Sequence, residues 1–377
     1  MPMNHRNARA ALLAFLLSRA LFFALIVIGS NVAFVRKVYN DRIWETKVEL
    51  QRGRIGPQLI ITVMNGDAWF YRSIATSGYE RRPFAPGAAN WAFFPLYPLA
   101  VRMLGGDYAV SGMLLSNAAL LAALLLLGPL TQACGGSDDD AARAVFYAAF
   151  FPTSYFLSMP LPESLFFFLT IAAFFAAQRE RWWLAGIAGA LAAATRPAGV
   201  LLLPALALLA IERRAWRRAA WLLLIPLGTA AFMLHLYRLT GNAFAFAGVQ
   251  GSWNRHASMP WTPLLAFLRN PSVAGEPWNL IALNFIAALL ILAAAIWFLA
   301  RSDWPHGSYA LLSLLLPLSS GSLQSMGRYA AVAFPLFIAL AFLGRRAAID
   351  RVIVAVSIAL FGWLIALLTL RVDFALA

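Results

Sequence analysis

Long apolar blocks, parted by short polar or proline-bearing breaks, recur from one end of the chain to the other. A run of roughly 17–25 apolar residues crosses a bilayer as a helix. The blocks predict helices near 8–29, 107–130, 143–159, 163–178, 183–195, 197–211, 219–239, 280–300, 308–319, 329–343 and 352–370. Three blocks need an internal break: 143–178 at Pro160 and Pro162, 183–211 at Arg196-Pro197, and 308–343 at the polar run from Ser319 to Arg328. Proline disfavours helical geometry in the residue before it, which gives the first two breaks a cause. One helix over 183–211 would measure about 43 Å at ~1.5 Å per residue, against a hydrocarbon core of about 30 Å. The pattern therefore predicts an all-α polytopic membrane protein of about 11 transmembrane helices, with residues 1–377 as a single domain. No fixed-period repeat and no pair of inverted halves is visible, which counts against many transporter folds.

Composition agrees. Apolar residues make up 62% of the chain and charged residues 12%, whereas soluble domains carry about 45–50% and about 25%. No soluble domain of useful size fits between the blocks. The net charge of +14 is mostly arginine. In a soluble protein it would suggest nucleic acid; here the charges flank apolar runs, so topology and anchoring account for them, with membrane lipids, anionic ones included, as partners. The first run, Ala8 to Gly29, is too long for a signal-peptide core and is expected to be retained. The single Cys134 excludes an intramolecular disulfide and a multi-cysteine metal site.

The positive-inside rule orients the layout. With Arg6 and Arg9 in the cytoplasm, the short loops on that side carry Arg143, Arg179, Arg181, Arg213, Arg214, Arg217, Arg218, Arg301, Arg345, Arg346 and Arg351. The short outer turns carry only Arg196 and Arg328 as cations, and two long segments, about 30–106 and 240–279, also fall outside. Within the first of these, Asp41 to Gln51 could lie flat on the membrane. Asp138-Asp139-Asp140 is expected to be a solvated cytoplasmic loop.

Candidate chemistry collects on the outer side. Segment 30–106 holds Asn65-Gly66-Asp67-Ala68-Trp69-Phe70-Tyr71 and later Phe93-Phe94-Pro95-Leu96-Tyr97-Pro98. A lone carboxylate in apolar surroundings suits a general base, and equally suits a helix cap within an aromatic belt. Each short outer turn contributes one ionisable group: Glu163, Arg196 or Arg328. Such groups at membrane depth either lock a bundle by pairing or serve a site, and arginine offers the planar fork that phosphate recognition uses. Arg19, near the middle of the first helix, would fit a buried ion pair or a lipid-phosphate contact. Segment 240–279 adds Gln250, Trp253, Asn254, Arg255 and His256, either interfacial or able to stack on and bond a sugar. An anion-binding pocket with one isolated carboxylate suits group transfer away from a lipid phosphate. The acidic inventory near Asp67 is sparse, so no divalent-metal site and no cofactor is expected, although Glu163 could contribute to one.

At these residues the sequence resembles the GPI second-mannose transferase (PIG-V) family and its prokaryotic relatives, members of the GT-C class of membrane glycosyltransferases. Asp67-x-x-x-Tyr71 with Ile74-Ala75 and Gly78-Tyr79 looks like the family's Asp-containing first outer loop, with Gly66 where Trp is usual. Phe93 to Pro98 matches the next motif. Phe151 to Ser158 with Glu163-Ser164-Leu165-Phe166 matches another, with Leu161-Pro162 where members often have Tyr-Thr. Ala194 to Gly199, and Arg328-Tyr329 with Phe334-Pro335-Leu336, complete a set of five in order over most of the chain. The resemblance implies a GT-C-type helical bundle and an inverting, polyprenyl-phosphate-sugar-dependent mannosyltransferase acting at the outer face. Asp67 would be its base, and Arg196, Arg328 and Arg255 would hold the donor phosphate. Tyr71, Glu163, Trp253, Asn254, Tyr329 and Arg19 would support or bind substrate. The arginine-rich, lysine-poor composition points to a bacterial inner membrane, where the acceptor is an unknown lipid, glycan or protein. A flippase or transporter of lipid-linked glycan is the alternative; it needs charges along a path, for which only Arg19 and His235 offer themselves. A structural subunit would explain the hydrophobicity but not the one-sided charges.

Overall fold

The computed structural model describes residues 5–32, 55–274 and 280–369. Among them every regular element is helical and no strand is present. The segment 41–51 lies outside the described residues.

The chain opens with α1 (His5–Val32), followed in the first outer segment by α2 (Ile55–Val63), α3 (Ala68–Ser77) and α4 (Leu96–Leu104). The segment expected as a long loop thus carries three short helices. Helix α5 (Tyr108–Ala133) starts where Asp107 accepts from the Ala109 and Val110 amides. Helix α6 (Asp138–Ala149) starts from a reciprocal capping box between Ser137 and Asp140. Next come α7 (Glu163–Gln178), which begins directly after Pro162, and α8 (Trp182–Thr195), which ends at Arg196-Pro197. Then follow α9 (Leu202–Glu212), α10 (Ile225–Thr240), and the short α11 (Ala245–Gly248) and α12 (Thr262–Arg269). The C-terminal part holds α13 (Ile281–Ala300), α14 (Trp304–Leu318), α15 (Met326–Val332), α16 (Phe334–Leu343) and α17 (Ala347–Thr369).

Among the described residues, five helical stretches are long and apolar enough to cross a membrane, or six if α15 and α16 count as one bent span. The other expected spans are shorter. Large apolar side chains on the long helices face outward, among them Leu13, Leu17, Leu227, Ile286, Ile296 and Val352. Apolar surface on that scale is what lipid solvates, and the chain is an integral membrane protein.

Two expected helices differ in form. The span 143–159 stops at Ala149 and resumes as a 3₁₀ turn over Ser154–Ser158. Arg19 explains how the break survives in a dry interior: it donates to the carbonyls of Ala149 (2.9 Å) and Ser154 (3.1 Å) and to the Ser158 hydroxyl (2.7 Å). Carbonyls released at a helix end need such donors. The span 329–343 is two helices meeting at 76°. Pro335 lacks the amide that would bond the Ala331 carbonyl, so the ladder ends there.

Helix packing relies on small residues. Helix α8 packs against α7 and α10. A Cβ added at Gly228 of α10 would lie 2.0 Å from the Ala190 carbonyl oxygen, so these two backbones touch directly. At one end of the bundle, Asp140 is not part of a solvated loop. Its side chain has no exposed surface and accepts from Arg345 (2.7 Å) and Arg143 (3.3 Å). Burial works to raise its pKa, but the Arg345 and Ser137 hydrogen bonds outweigh burial and hold the carboxyl down at about 2. The candidate site lies at the other end.

Candidate active site

Asp67 sits at the turn between α2 and α3. Gly66 takes φ +52 there, and its amide donates to Asn65 Oδ1 at 2.9 Å. A positive φ suits glycine and would strain a residue with a Cβ. Asp67 occupies the cap position of α3 without capping it. Its Oδ2 accepts instead from Arg328 Nη1 at 2.8 Å, while Oδ1 is without a partner among the described residues.

Glu163, the first residue of α7, is fully buried. Its Oε1 accepts from Arg328 Nη2 (2.6 Å) and Nε (3.2 Å) and from Arg196 Nη1 (3.2 Å). Its Oε2 is unbonded among the described residues. The Arg328 guanidinium also lies 4.7 Å from the centre of the Phe156 ring, and that of Arg196 lies 5.0 Å from Tyr329. Burial of Arg328 and partial burial of Arg196 are tolerable because a carboxylate meets both.

Helix α15 delivers Arg328 to this point. Thr153 Oγ1 donates to the Gly327 carbonyl (2.7 Å), and the Gly327 amide donates to Asn284 Oδ1 (2.8 Å). These bonds pin the first turn of α15 to α13 and to the 3₁₀ turn before α7. The polar run Ser319 to Arg328, expected only as a break, continues into the site wall with Ser320, Gln324 and Ser325. Sequence reading passed over Gln324 and Ser325, and the polarity of that run was the available signal.

Together these groups border a cavity of about 470 Å³. Asp67, Glu163, Arg196 and Arg328 line its polar side, joined by Arg255 and Tyr329. Tyr71 and Trp253 line it as well. Arg255 is half-buried, and its one side-chain bond is a long one to Gln250 Oε1 at 3.5 Å, so no carboxylate balances it among the described residues. Three guanidiniums therefore face two carboxylates, and the cavity is cationic by one charge.

The opposite wall is aromatic. Phe70 stacks on Phe93 at 4.6 Å, and Trp253 meets Phe93 edge-on at 5.8 Å. Tyr71 stands edge-on to Phe93 at 5.1 Å. The Tyr79 hydroxyl fixes the Phe93 carbonyl at 2.7 Å. Burial, and after it the charge of Glu163, pushes the Tyr71 phenol well above its ordinary pKa, so it stays protonated and can donate.

Two predicted residues are placed elsewhere. Asn254 is exposed and adopts the left-handed conformation (φ +54) closing the turn Gln250–Trp253, outside the cavity lining. Arg19 is buried among the carbonyls described above and pairs with no acid among the described residues. His235, the other deep ionisable group, is exposed on the flank of α10, its ring 5.6 Å from Tyr79. Arg19 and His235 do not join the cavity charges into a transmembrane path.

The sequence matches no protein-family model and no curated protein. Among solved structures the chain is similar to the oligosaccharyltransferase of Archaeoglobus fulgidus. Against its apo form the identity is 14% and the TM-score 0.43, covering 95% of this chain and 55% of that one. Against its complex with an inhibitory peptide and a dolichol-phosphate the identity is 14% and the TM-score 0.42, covering 94% and 55%. The chain spans about half the length of the archaeal enzyme. A likeness at this level assigns no role to individual residues.

Proposed function

We propose that the protein is a GT-C-type inverting glycosyltransferase that takes its sugar, mannose, from a polyprenyl-phosphate donor. The observation that carries this reading is the Asp67 carboxylate. It is relieved of helix capping, keeps one oxygen free, and stands at a cavity with a surplus guanidinium. Asp67 Oδ1 takes the proton of an acceptor hydroxyl. The hydroxyl oxygen attacks the anomeric carbon from the face opposite the phosphate, and the bond from that carbon to the phosphate oxygen breaks with inversion. Arg255, with Arg196 and Arg328, stabilises the departing phosphate. Trp253 and the Phe93 wall offer faces on which a sugar ring stacks, and Tyr71 and Tyr329 offer hydroxyls. Arg328 bonds Asp67 Oδ2 and Glu163 Oε1 and so ties the two carboxylates together at the cavity wall.

The cavity lies at the end of the bundle away from the Asp140 arginine cluster. By the positive-inside rule this is the outer face, with the N-terminus cytoplasmic, in a bacterial inner membrane. The acceptor is a lipid, glycan or protein hydroxyl. The test is transfer of radiolabel from polyprenyl-phosphate-mannose to material in a membrane extract by the purified protein. Release of polyprenyl phosphate with label in a new product supports the assignment. Movement of intact donor between leaflets without cleavage replaces it with translocation.

A further inference from the structure

A second constellation lies at the end of the bundle opposite the cavity. Helix α5 has its first residue near the site: the Tyr108 hydroxyl donates to the carbonyl of Pro160, three residues before Glu163, at 3.0 Å. Its last turn ends at Cys134, about 39 Å away at ~1.5 Å per residue. There Cys134 Sγ lies 3.6 Å from His306 Nε2, and His306 Nδ1 lies 2.7 Å from Asp303 Oδ1. Asp303 also accepts from the His306 amide at 3.3 Å, which locks the start of α14. The imidazole is buried, with ring centres of Phe174 and Phe298 at 4.9 and 5.3 Å. Cys134 and Asp303 are partly exposed.

Cys134 Sγ, a His306 ring nitrogen and an Asp303 carboxylate oxygen lie within 4.8 Å of one another, and Asp303 Oδ1 holds Nδ1, which leaves Nε2 turned to Sγ. The order is nucleophile, base and orienting acid, each within reach of the next. Burial acts to raise the Asp303 pKa, but the hydrogen bond and charge of His306 bring it below the ordinary carboxylate range. Trp304 is exposed beside Asp303, and Trp216 is exposed in the connection after α9, a helix that packs on α14. Exposed tryptophans of this kind sit at the level of lipid headgroups. Amphiphilic acyl thioesters collect at that level.

We propose that Cys134, with His306 as base and Asp303 as its orienting acid, is a site of S-acylation by a fatty acyl thioester. His306 Nε2 takes the thiol proton. The thiolate attacks the acyl carbonyl carbon, and a new carbon–sulfur bond forms as the bond to the donor's own sulfur breaks. The departing thiolate recovers the proton from His306. The acyl chain then anchors the end of α5 in the adjoining leaflet.

The test uses the full-length protein in lipid nanodiscs with palmitoyl-CoA. The chain has a single cysteine, so intact mass reports one site. The expected result is one hydroxylamine-sensitive acyl adduct, formed about tenfold more slowly in His306→Asn and more slowly in Asp303→Asn. A second measurement follows the rate of iodoacetamide labelling of the unmodified protein, which should fall in His306→Asn and in Asp303→Asn. Glu212, Arg213 and Arg301 are the other charges acting on this cluster, and their neutral variants serve as controls. Absence of the adduct, or equal rates of acylation and of labelling in wild type and Asp303→Asn, overturns the proposal. Asp303 is partly exposed, so its variant decides the matter if His306→Asn fails to fold. Sugar transfer should survive Cys134→Ser unchanged, so failure of this inference leaves the transferase assignment standing.

Discussion

Asp67 and Arg328, 261 residues apart in sequence, are joined by a 2.8 Å hydrogen bond, although Asp67 stands where a helix-capping residue would turn inward to its own helix. The carboxylate is thereby aimed at the cavity. Asp67→Asn keeps the shape and one acceptor but cannot take a proton. Sugar transfer should fall by about 10²–10⁴-fold, the usual contribution of a general base. The melting temperature should change little, because the Asp67 side chain is 29% exposed. Full activity in this variant would remove Asp67 from the mechanism.

Glu163 should behave in the opposite way. It is the only acid meeting both the buried Arg328 and the partly buried Arg196 among the described residues. Glu163→Gln leaves Arg196 without a carboxylate and Arg328 with Asp67 alone. Loss of one partner from a buried pair costs about 3–5 kcal/mol. A fall of several degrees in the melting temperature of detergent-solubilised protein is expected. An unchanged melting temperature would mean that the pair is solvated.

Arg255 carries the cavity's surplus charge without stabilising the fold. Arg255→Ala should raise KM for the donor roughly tenfold to a hundredfold, corresponding to about 1.5–3 kcal/mol for a charge-assisted bond. Thermal unfolding should be unaffected. An effect on kcat alone would place Arg255 at the leaving group only in the transition state.

Acid should act at the far end first. The Asp140 carboxyl is held at about 2, below its ordinary value of 3.8, so it binds protons less readily folded than unfolded. The stability it contributes is complete above pH 4 and is lost as pH falls from about 4 to about 2. Melting temperatures measured over that range should drop less steeply in Asp140→Asn. Parallel curves for the two proteins would contradict this.

The contact between α8 and α10 admits no side chain at Gly228. Gly228→Val should force the helices apart and cost about 1–3 kcal/mol or more. Donor KM, read on the fraction that folds, should stay within about twofold if the damage is confined to packing.

What the sequence could convey was local. Pro162 placed the start of α7 at Glu163, and Arg196-Pro197 placed the end of α8, because proline acts on its immediate neighbours. The charged groups of the site stood out because each is isolated at a break between apolar runs. Their partnership was not legible: the contacts joining Asp67, Glu163, Arg196 and Arg328 span up to 261 residues. Arg19 shows the same limit. Its position deep in α1 marked it as unusual, but it bonds carbonyls and serine hydroxyls, which are not singled out by any sequence pattern. The break of 143–159 at Ala149 was hidden for that reason, since it depends on donors from a distant helix.

The three guanidiniums and two carboxylates of the cavity have a consequence for the course of the transfer we propose. A polyprenyl-phosphate sugar is a phosphodiester with one negative charge, and on that proposal it neutralises the site. Once transfer is complete the phosphate is a monoester approaching two negative charges. In the same event Asp67 has gained the acceptor's proton and lost its own charge, so the protein has become doubly cationic. Donor and product are each electrically matched when bound, and the proton that crosses to Asp67 keeps them so. Release of the lipid phosphate is then linked to discharge of that proton: as Asp67 ionises again, the site returns to a single positive charge and favours the next diester over the spent monoester.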